Sequence, residues 1–397
     1  MLDFRVTARD GNARAGEIVT RHGTVLTPAF VTVGTLASVK SLAPRDLENI
    51  GTQIIIANTY HLHLQPGEDI IAEAGGLHRF MGWDGPLMTD SGGFQIFSHG
   101  AGKEHGVGKI ASIFPEETDR RGHLQHKGGK SLVQVDDDGV DFISYLDGSR
   151  HRFTPEAVVE IQAKLGADII LPLDECTSPL HDFEYTRAAM ERTHRWALRA
   201  LEAFEKHGGS SQSLFGIVQG GGYKELRKQS ANFISDLNFR GFAIGGSLGK
   251  SKEDMHKVLE WTIPCLPDHK PRHLLGIGEV DNIFQAVKRG IDTFDCVTPT
   301  RLARTGTLLV KNAPTHRIHI LNSRFRQEHE PIQPSCRCYT CLNFSRAYLR
   351  HLFAAREPLA MALATIHNLS FMERLMAQIR SSIIDGTFTQ LMAQWLS

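Results

Sequence analysis

Three cysteines fall within six residues, Cys336-Arg337-Cys338-Tyr339-Thr340-Cys341. Thiolates this close can converge on one soft cation, and a tetrahedral site then needs a fourth ligand. His367, in Thr365-Ile366-His367-Asn368, lies on a later helical stretch that can fold back; His351 is the alternative on spacing alone. A Cys3His set closes the coordination sphere, so the expected ion is a structural Zn2+, one per subunit. Polar Arg337 and Thr340, and the bounding Pro334-Ser335, separate this cluster from cysteines that are buried simply as small hydrophobes.

Two aspartates form a second set. Asp90 sits in Thr89-Asp90-Ser91-Gly92-Gly93-Phe94-Gln95, where paired glycines allow backbone N–H groups to approach a ligand closely. Asp295 sits in Phe294-Asp295-Cys296-Val297-Thr298-Pro299-Thr300-Arg301. Two acids on one rim permit one to act as nucleophile and the other as general acid/base, as in retaining glycosyl transfer. Unrelated solvated aspartates are the plainer alternative. Directly after Asp295, residues 301–330 carry Arg301, Arg304, Lys311, Arg317, Arg324 and Arg326 against two acids, a local basic apron suited to a phosphate backbone. An ordinary solvated face is the competing reading. His61-Leu62-His63 resembles the metal pair of barrel amidohydrolases, but it follows its strand end by several residues, and later rims offer Gln219, Gly246 and Gly278 rather than histidines.

These residues need a frame. Short apolar runs at 53–58, 86–90, 168–174, 214–219, 241–246, 273–278 and 291–296 read as strands buried on both faces. Helical patterns lie between them: Pro155 to Leu165, opened by a Thr154 cap, then Glu184 to His207, Tyr223 to Leu237, Lys252 to Trp261 and Val280 to Arg289. Such alternation implies an α/β fold, with an irregular (β/α)8 barrel as the expected form and an open sheet as the alternative. Ala29 to Val33 is the candidate eighth strand. Asp90, Asp174, Gln219, Gly246 and Asp295 then share the C-terminal rim, where barrel active sites are built. The expected organisation is a barrel over 1–300, a β-hairpin insertion near 99–152 turning at Asp137-Asp138-Gly139, and a zinc-binding, RNA-contacting subdomain over 301–397.

Composition agrees with a large core: 397 residues, 41% hydrophobic and 22% charged. Lys plus Arg and Asp plus Glu both number 44, which excludes a generally polycationic coat but not a local basic patch. No apolar run is long enough for a membrane span, no signal pattern opens the chain, and six cysteines are too few for a disulfide scaffold. A reducing cytoplasmic setting is expected.

Taken together, Thr89 to Gln95, Asp174-Glu175-Cys176, Phe215 to Gly220, Phe294 to Arg301 and the Cys336/Cys338/Cys341/His367 set resemble the tRNA-guanine transglycosylases, from Thr27-Pro28 to the end. The resemblance implies a barrel enzyme with a zinc subdomain, usually a homodimer, that exchanges the wobble guanine of GUN-anticodon tRNAs for a 7-deazaguanine. It implies that Asp295 is the nucleophile on ribose C1′ and Asp90 the general acid/base. Ser91, Gly92, Gly93, Phe94, Asp174, Cys176, Gln219, Gly246, Ser247, Gly249 and Leu275 would form the base pocket. Gly276, Ile277, Gly278, Glu279, Val280, Asp281 and Asn282, with Thr300, Arg301, Leu302, Ala303 and Arg304, would contact the anticodon stem-loop. The sequence departs from the usual bacterial Gly-Gly-Leu-Ala-Val-Gly-Glu at Gly245-Gly246-Ser247-Leu248-Gly249-Lys250-Ser251. Missing bulk at Gly249 and a missing carboxylate at Ser251 point to acceptance of the larger base queuine beside 7-aminomethyl-7-deazaguanine. A non-catalytic RNA-binding partner subunit and a base-releasing hydrolase are the rival functions; retention of both aspartates argues against the first.

Overall fold

The computed structural model describes residues 2–97, 133–207 and 211–397. Much of the expected insertion, through Leu132, therefore lies outside the described residues. The chain opens with an antiparallel sheet, β1 (Asp3–Asp10), β2 (Ala13–Thr20) and β3 (Gly23–Thr27). β4 (Ala29–Val33), β5 (Ile55–Ala57) and β6 (Leu87–Thr89) begin the barrel. A second small sheet follows, β7 (Val133–Val135), β8 (Val140–Ile143) and β9 (Arg150–Phe153). β10 (Ile169–Ile170), β11 (Ser213–Val218), β12 (Gly241–Ile244), β13 (Arg272–Leu274) and β14 (Thr293–Asp295) complete the barrel, and β14 pairs back onto β4. All eight strands are parallel and the ring is closed, with Ala29 to Val33 the eighth member.

Two elements differ from their sequence patterns for physical reasons. The run at 168–174 pairs only at Ile169–Ile170, because Pro172 has no N–H to give a ladder and Leu173-Asp174 leave the sheet for the rim. The expected hairpin is a three-stranded sheet. β9 reads as polar Arg-His-Arg-Phe, yet Arg152 lies opposite Asp141 and bonds it at 2.6 Å, a cross-strand ion pair standing in for apolar alternation.

The N-terminal sheet closes the end of the barrel away from the rim. Ile18 and Val25 enter the interior cluster of Ile56, Met88, Phe215 and Ile217. Fully buried Arg14 reaches buried Asp292, just before β14, with Nε 2.7 Å from Oδ1. Nearby, His22 donates to Asp168 at 2.7 Å while its ring stacks on His78 at 3.6 Å and 24°. With the rings face to face, a cation shared by both would lie out of both ring planes, so this group reads as a brace rather than a metal centre.

Beyond the barrel, β15 (Thr307–Leu309) and β16 (Arg317–His319) form a ribbon. The Pro358–Ile384 helix joins two cores. Leu363, Ala364 and Ile366 pack with Cys336, Cys338, Cys341 and Leu349, whereas Leu369, Phe371, Met372 and Leu375 belong to the core around the barrel.

Candidate active site and metal centre

A cavity opens at the C-terminal rim, lined among others by Asp90, Asp174, Gly246, Leu275 and Asp295. Asp90 follows the last residue of β6. Its Oδ1 accepts the N–H groups of Thr59 (3.0 Å) and Gly92 (3.2 Å), and its Oδ2 accepts from the Asn58 amide. Thr59 opens a short helix capped by Asn58, so two of these three donors sit at a helix N-terminus, and the third, Gly92 N–H, comes from the loop after β6. Burial raises the Asp90 pKa, the Thr59 N–H opposes it, and the nearby negative charge of Asp295 adds to the rise; the result is about 7. A carboxyl group poised there can both give and take a proton at neutral pH.

Asp295 ends β14. Both its hydrogen bonds fall on Oδ1, from Gly276 N–H at 3.0 Å and His273 Nε2 at 3.2 Å. An ionised carboxylate only accepts, so His273 donates from Nε2, and its Nδ1, 2.9 Å from Thr293 Oγ1, accepts the hydroxyl proton. Among the described residues Oδ2 has no partner, the arrangement a nucleophilic oxygen requires.

Asp174 accepts from Ser91 Oγ at 3.0 Å and from Gln219 Nε2 at 2.6 Å. Burial, the dominant cause, pushes its pKa up to about 6. Its neighbour Glu175 is fixed by the Tyr185 hydroxyl at 2.9 Å, which holds the segment on the rim. The glycines are sterically required. A Cβ on Gly93 would lie 2.6 Å from the Asp174 carbonyl, and one on Gly246 would lie 2.0 Å from Gln219 Oε1. Among the described residues, Gln219 Oε1 is buried without a donor. An acceptor left bare beside a carboxylate is what a ligand rich in N–H groups would find useful. Phe94 stands half exposed at the lip, and Cys176 lines the wall with its thiol pushed up to about 12 by burial.

Several expected pocket and RNA residues lie elsewhere. Leu248 and Lys252 line the cavity, whereas buried Gly93, Gln219, Ser247 and Gly249 do not. Gly249 has φ of 100°, and a Cβ there would meet the Asp254 Cβ at 2.2 Å, so its missing bulk makes room for Asp254 rather than for a base. Ser251 caps the Lys252–Thr262 helix, its Oγ accepting from Asp254 N at 3.2 Å. The stretch from Gly276 to Asn282 lines the cavity mouth, as does exposed Arg301. Thr300 and Ala303 are instead buried, Leu302 packs on the core, and half-buried Arg304 bonds the Thr300 carbonyl at 3.1 Å. These four support the helix that presents Arg301. Glu279 and Asp281 would repel a phosphate backbone, but Arg317 bonds the first and Lys252 the second, at 2.6 Å.

Sequence reasoning missed Asn58, Thr59, His273, Lys252 and Arg227. Asn58 and Thr59 carried a signal, an Asn before a helix directly after a strand. Arg227 carried none. It is fully buried, and its guanidinium bonds the carbonyls of Gly221, Val218, Gly245 and Ser247.

Cys336, Cys338, Cys341 and His367 are brought together, all buried, and His351 is not among them. His367 Nδ1 lies 3.9, 3.7 and 3.3 Å from the three sulfurs, and its Nε2 donates to the Leu309 carbonyl at 2.8 Å. Those separations are close to the ~3.5 Å between ligands around a tetrahedral ion with Zn–S of ~2.3 Å and Zn–N of ~2.0 Å. The carbonyl fixes the tautomer that turns Nδ1 to the ion. The residues therefore fit zinc, in a closed and structural site.

A family profile described as Queuine tRNA-ribosyltransferase matches residues 10–113 and 118–397. A protein of Archaeoglobus fulgidus is 50% identical over 403 residues, covering 100% of this chain and 99% of its own length. Queuine tRNA-ribosyltransferases of Roseiflexus sp. and Herpetosiphon aurantiacus are 49% and 48% identical, covering 100% and 98% of this chain and 99% and 90% of theirs. Among the described residues, no helix is long and apolar enough to cross a membrane.

Proposed function

Since this chain belongs to the queuine tRNA-ribosyltransferase family, we propose that its rim cavity exchanges the wobble guanine of a GUN-anticodon tRNA for a 7-deazaguanine through a covalent Asp295–ribose intermediate. The chain is a pentosyltransferase acting on tRNA. The observation that carries the finer reading is the contrast between its two rim carboxylates. Asp295 keeps one oxygen bonded and one bare, while Asp90 titrates near neutrality.

In this mechanism Asp295 Oδ2 attacks ribose C1′ and the C1′–N9 bond breaks, with its electron pair leaving on guanine. Protonated Asp90 gives its proton to the departing base. Guanine leaves and the deazaguanine enters; Asp90 removes its N9 proton, N9 attacks C1′, and Asp295 departs as carboxylate. Two displacements at C1′ retain its configuration. Gly276 N–H and His273 hold Oδ1, which becomes the carbonyl oxygen of the ester. Asp174, Gln219 and the Gly246 N–H read the guanine-like edge, and Phe94 stacks on the ring. Arg301 and the mouth stretch from Gly276 to Asn282 take the anticodon loop. Cys336, Cys338, Cys341 and His367 would hold a Zn2+ that would stabilise the fold beside this surface and take no part in the chemistry.

Incubation with tRNA and base, followed by denaturing electrophoresis, tests the reading. Wild type should show a covalent protein–tRNA band and incorporate labelled guanine, and Asp295→Asn should do neither. A band in Asp295→Asn would remove Asp295 as the nucleophile. Guanine release without incorporation would make the protein a hydrolase, and no turnover by folded wild type would favour the partner-subunit reading.

A further inference from the structure

We propose that Arg227 is the positioning residue that presents and polarises the Gly246 N–H toward the carbonyl oxygen of a purine base in the cavity. The inference rests on the proposed base-reading role of this pocket and names the group behind it.

Arg227 lies on the Lys224–Ser235 helix that follows β11, behind the pocket wall. It is fully buried and meets four main-chain carbonyls: Gly221 at 2.7 Å, Val218 at 3.0 Å, Gly245 at 3.0 Å and Ser247 at 2.7 Å. No carboxylate pairs with it among the described residues, and burial lowers its pKa to about 9 without removing the charge at neutral pH. Burying a cation against neutral dipoles alone is costly, so the geometry calls for a use.

The use follows from the planar trans peptide. The carbonyl of Gly245 and the N–H of Gly246 belong to one unit and point in opposite directions. Arg227 holds the carbonyl end, so the N–H end faces away from it. Gly246 lines the cavity, and its N–H has no partner among the described residues. A cation on the carbonyl draws electron density through the amide and strengthens the N–H as a donor. The same guanidinium ties the end of β11, through Val218, to the turn after β12, through Gly245 and Ser247. It thereby sets the spacing between Gln219 and Gly246. When the C1′–N9 bond breaks, negative charge spreads onto the carbonyl oxygen of the departing guanine. A fixed donor with a buried positive charge behind it opposes that charge without reorganisation.

The test compares guanine with 2-aminopurine, which lacks the carbonyl oxygen, as inhibitors of labelled guanine exchange in wild type, Arg227→Met and Arg227→Lys. In Arg227→Met, guanine binding should weaken about 30-fold, the equivalent of one charge-assisted hydrogen bond, and 2-aminopurine by no more than about twofold. kcat should fall about 100-fold. Arg227→Lys, which keeps the charge but not the fork, should recover part of both losses. If Arg227→Met does not fold, Arg227→Lys alone carries the comparison and should still weaken guanine selectively. Equal weakening of both bases in the folded variants would reduce Arg227 to a scaffold residue, and unchanged guanine binding and kcat would overturn the proposal. Wild type with no preference between the two bases would instead defeat the base-reading role of the pocket.

Discussion

Gln219 donates its amide nitrogen to Asp174 at 2.6 Å, and the same amide leaves Oε1 buried beside Gly246 with no donor among the described residues. The pair is acceptor-rich, and its charge depends on pH. Burial holds Asp174 near 6. In the proposed reading a guanine edge gives N–H bonds to the ionised carboxylate, so binding should be full above that value and lost as pH falls through it. The inhibition constant of free guanine should therefore rise about tenfold per pH unit below 6. Asp174→Asn should flatten the profile and cost about 1.5–3 kcal/mol at pH 7. A wild-type constant unchanged between pH 5 and 7 would remove Asp174 from base recognition.

The pKa of Asp90 is set by its partners. Asn58 bonds the ionised form and lowers the pKa, against burial and the charge of Asp295. Asn58→Ala removes a lowering contact, so the ionisation of Asp90 moves to higher pH. The kcat profile for exchange should shift alkaline with it, and turnover at pH 7 should become limited by the step in which Asp90 accepts a proton. A profile shifted toward acid would show that another group carries the proton.

At the cysteine cluster, Cys338→Ala should lower zinc content and thermal stability together, because a closed site contributes its binding energy to folding. His367→Ala should do the same, since its Nδ1 lies within 3.9 Å of all three sulfurs. Metal analysis beside a melting curve decides it: unchanged stability and full exchange activity after complete metal removal would show the cluster to be incidental.

The closed end of the barrel offers a stability test free of the active site. Arg14 and Asp292 are both fully buried and pair with each other, and Asp292 also accepts the Arg272 N–H. Arg14→Met leaves a buried carboxylate without its cation, which should cost about 3–5 kcal/mol in urea unfolding at neutral pH. Arg14→Met with Asp292→Asn should recover part of that loss. A neutral single variant would show that water reaches Asp292.

The barrel was legible because parallel strands buried on both faces leave unbroken apolar runs, and because rim residues follow them at once. Asp90 and Asp295 could be placed on the rim from the chain alone for that reason, and the cysteines could be grouped because they are local in sequence. What could not be read was the reach of long or turned side chains. Arg227 looks like any helical arginine until four carbonyls from two strand ends surround it. β9 hid because its pairing with β8 rests on charge, with Arg152 against Asp141, rather than on alternation. Gly249 misled for the opposite reason: a missing side chain says that space is needed but not on which side of the backbone.

Gly249 bears directly on the choice of incoming base. The sequence assigned the space at Gly249 to a bulky substituent on the deazaguanine. The structure fills it with Asp254, whose Cβ lies 2.2 Å from where a Gly249 Cβ would stand and whose Oδ2 accepts Lys250 N at 3.0 Å. Gly249 also has φ of 100°, where a β-branched residue is strained. Strain and overpacking together put the cost of Gly249→Val at about 2–5 kcal/mol of stability. The loss should appear in the melting curve, while the preference of the folded fraction between queuine and 7-aminomethyl-7-deazaguanine stays unchanged. Selectivity should respond instead to Leu248→Ala, because Leu248 and Lys252, with Gly246, are the residues of this loop that line the cavity. Competition between the two bases for incorporation into one tRNA reads both variants. A stable Gly249→Val protein that has turned against queuine would restore the original explanation, and a Leu248→Ala protein with wild-type preference would move selectivity out of this loop altogether.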